Sequence, residues 1–463
     1  MNSKNKIKVA VDLTPLRPGG ENGGAKTLVL TLLRMFHSLQ ADEFDYLLIA
    51  EEWNYEELQS FQGSNMVCLL RSNMYAVAAP VPASLKLISG SDRIAVDRLT
   101  RVRLLVKEGV KRLSTILISR GRPQLAKLKS LVKRKLISYP RSHKLLQKVL
   151  SSKRPRLPPS VLREKYNVDL LFCPFSAPTL AERGLPLVAI AYDFQHLDLP
   201  FFFTQEERFH RTQFLTNLLA QADKIICISE FTRQSFLHHF DAEGETLLSI
   251  PICIHERLNP LDQDSVYSIL EQLGLKENHY LFFPANFWPH KNHRMLLAAY
   301  SIFRERFPHL VLNLVFTGAL EEPQKELKKL ALNLGYGDSV HFLGFLSQEE
   351  LTALWQGAKG LIFPSLYEGF GIPLLEAMWF GKPIACSAMG SLPEVGGDAV
   401  IYFDPRKPES IANAIAAIAQ DDTLTIQLRE RSRQRLQGFN QRSMTEQYLD
   451  VFRAAAHTLP PSR

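Results

Sequence analysis

The sequence predicts an α/β protein made of two doubly wound parallel-sheet domains. Three observations lead there. The chain has 463 residues, 46% hydrophobic and 22% charged, which is enough for two or three domains with sizeable cores. Short apolar runs alternate with helix-period stretches in two successive series, and strands separated by helices pair in parallel through crossover connections. Between the two series lies a weakly patterned polar stretch containing Pro260, Asp262 and Asp264.

The first apolar run, Ile7 to Asp12, reads as a buried strand. A turn cluster (Pro15, Pro18, Gly19, Gly20, Gly23, Gly24) follows it, and helical periodicity takes over across residues 25–39. Further strand-like runs fall at 46–50, 67–70, 168–173, 187–192, 224–228 and 246–251, with helices at 205–220 and 230–240. The second series places strands at 280–285, 311–317, 340–343, 361–364 and 383–387. Helices at 292–307, 321–334 and 348–356 lie between them, and more helices run to the end. We therefore expect a first Rossmann-like domain over 1–253, a link over 254–278 and a second Rossmann-like domain over 279–440. A terminal helix within 441–463 is expected to pack back toward the first domain. In such sheets ligands bind at the carboxyl ends of the strands.

Charge is unevenly distributed. Between Arg98 and Arg156 there are 19 Lys or Arg and one acid, Glu108, a local charge of +18, so the +8 chain is otherwise −10. This lies within an insertion in the first domain, about residues 84–160. Leu99, Val102, Val106, Val110, Leu113 and Leu117 step along one helical face, and Leu125, Leu128, Val132 and Leu136 repeat the pattern beside Lys127, Lys129, Lys133, Arg134 and Lys135. Cationic amphipathic helices of this kind lie in the interface of anionic membranes. The competing readings are a solvated basic face whose apolar stripe packs on the domain, and nucleic-acid binding. The latter is disfavoured because Tyr139 is the segment's one aromatic residue.

Several classes are excluded as expectations. No run of 18 uncharged apolar residues offers a membrane span, and the opening MNSKNKIKVAVDL has no apolar stretch suited to a secretory signal. Five scattered cysteines with no C-x-x-C pair read as reduced core thiols of a cytoplasmic protein, not as a zinc site.

The most specific stretch is FPSLYEGFGIPLLE, residues 363–376. Glu368 and Glu376 lie eight residues apart, but Gly369, Gly371 and Pro373 forbid one continuous helix, so Glu368 belongs in a loop after a strand. Pro373 suits the first position of the next helix, and Glu376 would then fall in its first turn, beside the positive end of the dipole. Free N–H groups there form a site for phosphate oxygens, and the flanking carboxylates can accept bonds from hydroxyls. The matching ligand is a sugar joined through a diphosphate to a ribose. The glycines Gly19, Gly20, Gly23 and Gly24 precede a helix, so their amides could also face a phosphate or an acceptor; their spacing is not the dinucleotide fingerprint. Asp262-Gln263-Asp264 has a metal-binding form but sits in the link, and reads as a solvated acidic loop.

This stretch resembles the signature of the retaining glycosyltransferases of family four, which have the GT-B fold. The resemblance runs from Tyr280 to Phe403 and includes Pro284 to His293, Phe316-Thr317-Gly318, Val340 to Gly344 and Ser391-Leu392-Pro393-Glu394-Val395. It implies that Glu368 contacts the donor sugar's hydroxyls and Glu376 the nucleotide ribose. Backbone groups of Gly369, Phe370, Gly371 and Ile372 would hold the sugar, and those near Leu374 and Leu375 the diphosphate. Lys291 fills the family's diphosphate Lys position, while the paired Arg position reads Asn286. The family's strand-end His is replaced by Tyr192, leaving His196, three residues after Asp193, as the candidate to reach the cleft. The resemblance also implies a retaining reaction with no metal and no other cofactor. Residues around Trp288 and Lys291 look like those of bacterial polysaccharide enzymes, many of them mannosyl, which favours GDP-mannose over UDP-sugars.

The expected function is therefore transfer of a sugar from a nucleotide sugar to a glycan or lipid-linked acceptor at an anionic, cytoplasmic membrane face. The alternatives are an epimerase or phosphorylase of the same fold, or a non-catalytic relative that binds membrane or nucleic acid.

Overall fold

The computed structural model describes residues 6–19, 22–74, 157–319 and 321–457. The described residues all fall in the first compact unit of the chain, Met1–Met74 with Leu150–Arg463. The basic segment 98–156 and its two amphipathic stripes, with the membrane role read from them, lie outside the described residues.

Within the first unit, β1 (Ile7–Asp12), β2 (Phe44–Ala50), β3 (Met66–Leu70), β4 (Leu170–Cys173), β5 (Leu187–Ala191), β6 (Lys224–Cys227) and β7 (Leu247–Ser249) form one sheet. Its order is β3-β2-β1-β4-β5-β6-β7. A second sheet contains β8 (Tyr280–Pro284), β9 (Asn313–Thr317), β10 (Val340–Phe342), β11 (Gly360–Phe363), β12 (Ile384–Ser387) and β13 (Ile401–Phe403), in the order β10-β9-β8-β11-β12-β13. Pairing within both sheets is parallel. Strands β4, β5, β11 and β12 are buried at every position, as expected of parallel strands covered by helices on both faces. The strand order reverses between β1 and β4 and again between β8 and β11. These switch points open the crevices where ligands bind in doubly wound sheets.

The helix Gln441–Ala456 returns to the first sheet. Phe452 packs edge-on against Phe172, with ring centroids 5.0 Å apart, and against Phe36 at 5.6 Å. Arg453 pairs with Glu43 at 2.7 Å, which fixes the end of that helix beside β2.

Short or sparse elements escape a pattern reading, such as the helices Tyr55–Gln59 and Val161–Tyr166 in the first domain and two elements further on. The polar stretch contains a ten-residue helix, Gln263–Gln272, whose buried face is only Val266 and Leu270, too sparse to register as periodicity. Asp262 is its N-cap, accepting from the Ser265 amide at 2.9 Å, so the D-x-D sequence serves as a helix start. Strand β13 is three residues long with Tyr402 exposed, which is too short for a period-2 signal. All five cysteines are buried and free.

Candidate active site at the second switch point

The site is assembled from the loops that follow β8 and β11. After β8 the chain turns through Asn286 and a single 3-10 turn, Pro289–Lys291, which brings Lys291 to the mouth of the crevice. After β11 the loop through Ser365 and Leu366 is drawn to the same turn, because the Leu366 amide donates to the His290 carbonyl at 2.7 Å. Asn292 reinforces the link by donating to the carbonyl oxygens of Pro364 and Pro405. Lys291 and Glu368 thereby meet, with Nζ 2.6 Å from Oε1 and side chains 17% and 11% exposed. The pair is buried enough for the charges to feel each other strongly and open enough for a ligand to reach them.

Glu368 lies in a loop, as its neighbouring glycines require. The Ser391 amide and hydroxyl both donate to its carbonyl oxygen, at 3.2 and 3.0 Å. Gly390 packs on its backbone so closely that a Cβ there would meet the Glu368 carbonyl oxygen at 2.6 Å.

The helix Ile372–Trp379 starts one residue earlier than its sequence suggests. Gly371, at φ +100, turns the chain into it, so Pro373 takes the second helical position and Glu376 the fifth. Glu376 is therefore in the second turn, not the first. Its carboxylate is 2.7 Å from Arg257 and accepts from the Trp355 indole N–H at 3.2 Å. The Leu374 amide, expected near the diphosphate, already donates to the Gly371 carbonyl. Side chains of Phe370, Leu374 and Leu375 are buried in the core, which leaves backbone as what these residues can offer a ligand.

The first domain faces this loop directly. A Cβ on Gly369 would lie 2.2 Å from the Tyr192 carbonyl oxygen, and the Phe194 amide donates to the Tyr367 hydroxyl at 3.1 Å. Residues on either side of Asp193 thus touch residues on either side of Glu368, which sets the two carboxylates opposite each other across the cleft. Burial raises the Asp193 pKa above the ordinary carboxylate range, Arg211 opposes that shift most among the charged groups, and Glu368 adds to it. The Arg211 guanidinium sits 4.8 Å over the Phe203 ring and closes no salt bridge among the described residues. His290 and His293, on either side of Lys291, are pushed down to about 3, by burial first and by Lys291 next.

The remaining expected residues are placed as follows. Asn286 Oδ1 accepts from the Ala319 amide at 2.9 Å, so its acceptor shapes the loop after β9. Tyr192 donates to the Pro174 carbonyl at 2.7 Å, which turns its hydroxyl into the first domain. His196 is buried in the one-turn helix Gln195–Asp198, edge-on to Phe203 at 6.4 Å. Gly23 and Gly24 are the first two residues of the helix Gly23–Ser38, not part of the loop before it. A Cβ on Gly24 would come within 2.8 Å of Ile372, so this helix start abuts the donor-side loop. Gly19 is at φ +72 with open space around it, and Gly20 lies outside the described residues.

Sequence reasoning missed Arg257, because it lies in the weakly patterned stretch, and Asp193 and Arg211, which local patterning cannot assign to the cleft. It quoted Glu394 without giving it a role. Among the described residues, no group of three or more His, Cys, Asp or Glu side chains is arranged to hold a metal, and no helix is long and apolar enough to cross a membrane.

Two doubly wound domains facing each other in this topology form the GT-B architecture. Residues 268–435 match the family described as glycosyl transferases group 1, and this match, with the relatives below, supports sugar transfer as the chain's activity. It is 27% identical over 294 residues to the O-antigen chain mannosyltransferase B of Escherichia coli, covering 62% of this chain and 75% of the relative. It is 30% identical over 227 residues to the serotype-specific mannosyltransferase WbdA of the same species, covering 47% of this chain and only 27% of that longer protein. In fold it is similar to Anabaena HepE, crystallised with UDP and glucose, at a TM-score of 0.63 and 17% identity over 97% of this chain and all of that one.

Proposed function

We propose that this enzyme transfers mannose from GDP-mannose, with retention at the anomeric carbon and without a metal, to a glycan or lipid-linked acceptor at the cytoplasmic membrane face. The observation that carries the reading is the Lys291–Glu368 pair at the crevice, a cation and a carboxylate poised between sheet ends. In the Michaelis complex Lys291 would leave Glu368 for the diphosphate, and Glu368 would turn its freed oxygen to a sugar hydroxyl. Glu376, held by Arg257, would take the ribose hydroxyls. The acceptor hydroxyl attacks the anomeric carbon on the face the diphosphate leaves, and the departing phosphate oxygen takes its proton. A cation fixed beside the growing phosphate charge is the main electrostatic contribution this chain would make. Preference for mannose is supported by the names of the relatives, which span only parts of this chain or are spanned by it in part.

The test is a product assay with GDP-mannose, UDP-glucose and UDP-N-acetylglucosamine, with and without EDTA. Turnover of GDP-mannose that survives chelation is expected. Turnover of UDP-sugars alone overturns the donor, and loss on chelation restored by manganese overturns metal independence. The membrane reading rests on the sequence of residues 98–156 and is tested by co-sedimentation with vesicles of varied anionic-lipid content. Equal binding to neutral and anionic vesicles, or none to either, removes it.

A further inference from the structure

The helix Glu230–His239 in the first domain begins against the second domain, and the amides of its first three residues, which have no partner within the helix, all find acceptors. The Glu230 and Phe231 amides donate to Oε1 and Oε2 of Glu394, each at 2.8 Å. The Thr232 amide donates to the Ser229 hydroxyl oxygen at 3.0 Å, and from the Arg233 amide, bonded to the Ser229 carbonyl at 3.0 Å, the ordinary helical ladder takes over. Every helix must satisfy these donors somehow, and usually a residue just before the helix or water does so. Here two of the three are satisfied by a carboxylate 164 and 163 residues away in the chain. The negative charge also faces the positive end of the helix dipole.

Two further bonds join the same two regions. The Ser229 hydroxyl donates to the Gly369 carbonyl at 2.6 Å, and the Thr232 hydroxyl reaches the same oxygen at 3.1 Å. Arg435 secures Glu394 from behind, its guanidinium donating to the Glu394 and Val395 carbonyl oxygens. Glu394 stands in the short helix Leu392–Gly396, whose N-cap is Ser391, the residue that donates twice to the Glu368 carbonyl. The carboxylate that holds the first domain is thus three residues from the group that holds the Glu368 backbone.

We infer that Glu394 is a positioning residue: by capping the helix Glu230–His239 across the cleft it closes the two domains and fixes the Glu368 loop in the geometry used for transfer. The inference rests on the donor-site reading of Glu368. A closed cleft without this carboxylate would leave two amides without acceptors, whereas in an open cleft water serves them. Glu394 therefore stabilises the closed arrangement selectively.

The test uses the full chain. Glu394→Gln keeps the size but turns an N–H donor toward one of the two amides, replacing attraction with a donor–donor contact. Amide hydrogen exchange at Glu230 and Phe231 in the ligand-free protein should accelerate by about tenfold, the loss of one charge-assisted bond. With GDP-mannose as probe, kcat should fall by a similar factor while donor affinity, measured by equilibrium binding, stays within twofold, about the precision of such a measurement. Ser229→Ala and Thr232→Val remove the companion bonds from the first domain and should shift kcat the same way with Glu394 intact. They keep the test decisive if Glu394→Gln folds poorly. Unchanged exchange, or unchanged kcat in all three variants while Glu368→Gln is inactive, overturns the inference alone. Normal kcat in Glu368→Gln as well overturns the donor-site reading on which it rests.

Discussion

Breaking the Lys291–Glu368 pair tests the site more directly than any other perturbation. At 2.6 Å and an effective dielectric near 20, the two charges attract by about 6 kcal/mol. Desolvation of both groups offsets much of this, and removing one partner of a buried pair costs about 3–5 kcal/mol. Residual exposure of 17% and 11% lets some water screen the pair, which places the cost near the low end, about 2–3 kcal/mol. Lys291→Met leaves the Glu368 carboxylate facing Asp193 without its cation. Glu368→Gln leaves Lys291 charged but loosely held, and the double variant removes both charges. A double-mutant cycle from urea unfolding should therefore give a coupling of about 2 kcal/mol, with the double variant more stable than the sum of the singles predicts. Turnover should behave differently. Each single variant loses about 10²–10³ in kcat, the scale for removing one preorganised group beside developing charge, and the double variant recovers none of it. A coupling near zero would refute the buried-pair energetics. Full stability coupling with kcat within threefold of wild type would reduce the pair to a structural role and remove it from the donor site.

Three further outcomes follow from the same geometry. Gly369→Ala would place a methyl 2.2 Å from the Tyr192 carbonyl, so the Glu368 loop or the first domain must move; kcat should fall by about 10²-fold, the cost of a misplacement near 1 Å, and wild-type kcat would show that the contact is absent in the working enzyme. Glu376→Gln keeps a bond for Trp355 but strips Arg257 of its counter-charge, so the urea midpoint should drop by the equivalent of about 3 kcal/mol and donor KM should rise; a change in neither removes Glu376 from the site. Histidines 290 and 293, held near 3 in the folded protein against 6.5 unfolded, contribute stability that is present above pH 6.5 and lost as pH falls toward their folded values, by about 1.4 kcal/mol per pH unit each. Asp12 and Asp193, raised by burial, act in the opposite sense. The decisive comparison is therefore His293→Phe, which should flatten the loss of stability between pH 7 and pH 5; an unchanged slope would show that His293 binds its proton when folded.

The order of strands and helices was legible from the chain itself, because period-2 runs, unbroken apolar runs and 3.6-residue periodicity are local signals that burial imposes residue by residue. That is why β1 was readable at its observed bounds, and why residues 363–376 could be read as strand, loop and helix from two glycines and a proline. Short or sparse elements carry too few positions for a period to show, as with β13 and the helix Gln263–Gln272. What only the tertiary structure decided is which distant residues meet. Lys291 and Glu368 are 77 residues apart, Arg257 and Glu376 are 119 apart, and Glu394 reaches amides more than 160 residues earlier. Strand order and the closure of one domain on the other set those meetings, and neither leaves a periodic trace in the sequence. A charged side chain on a loop looks the same in the sequence whether it faces solvent or a carboxylate from the opposite domain; its partner exists only after both sheets have formed.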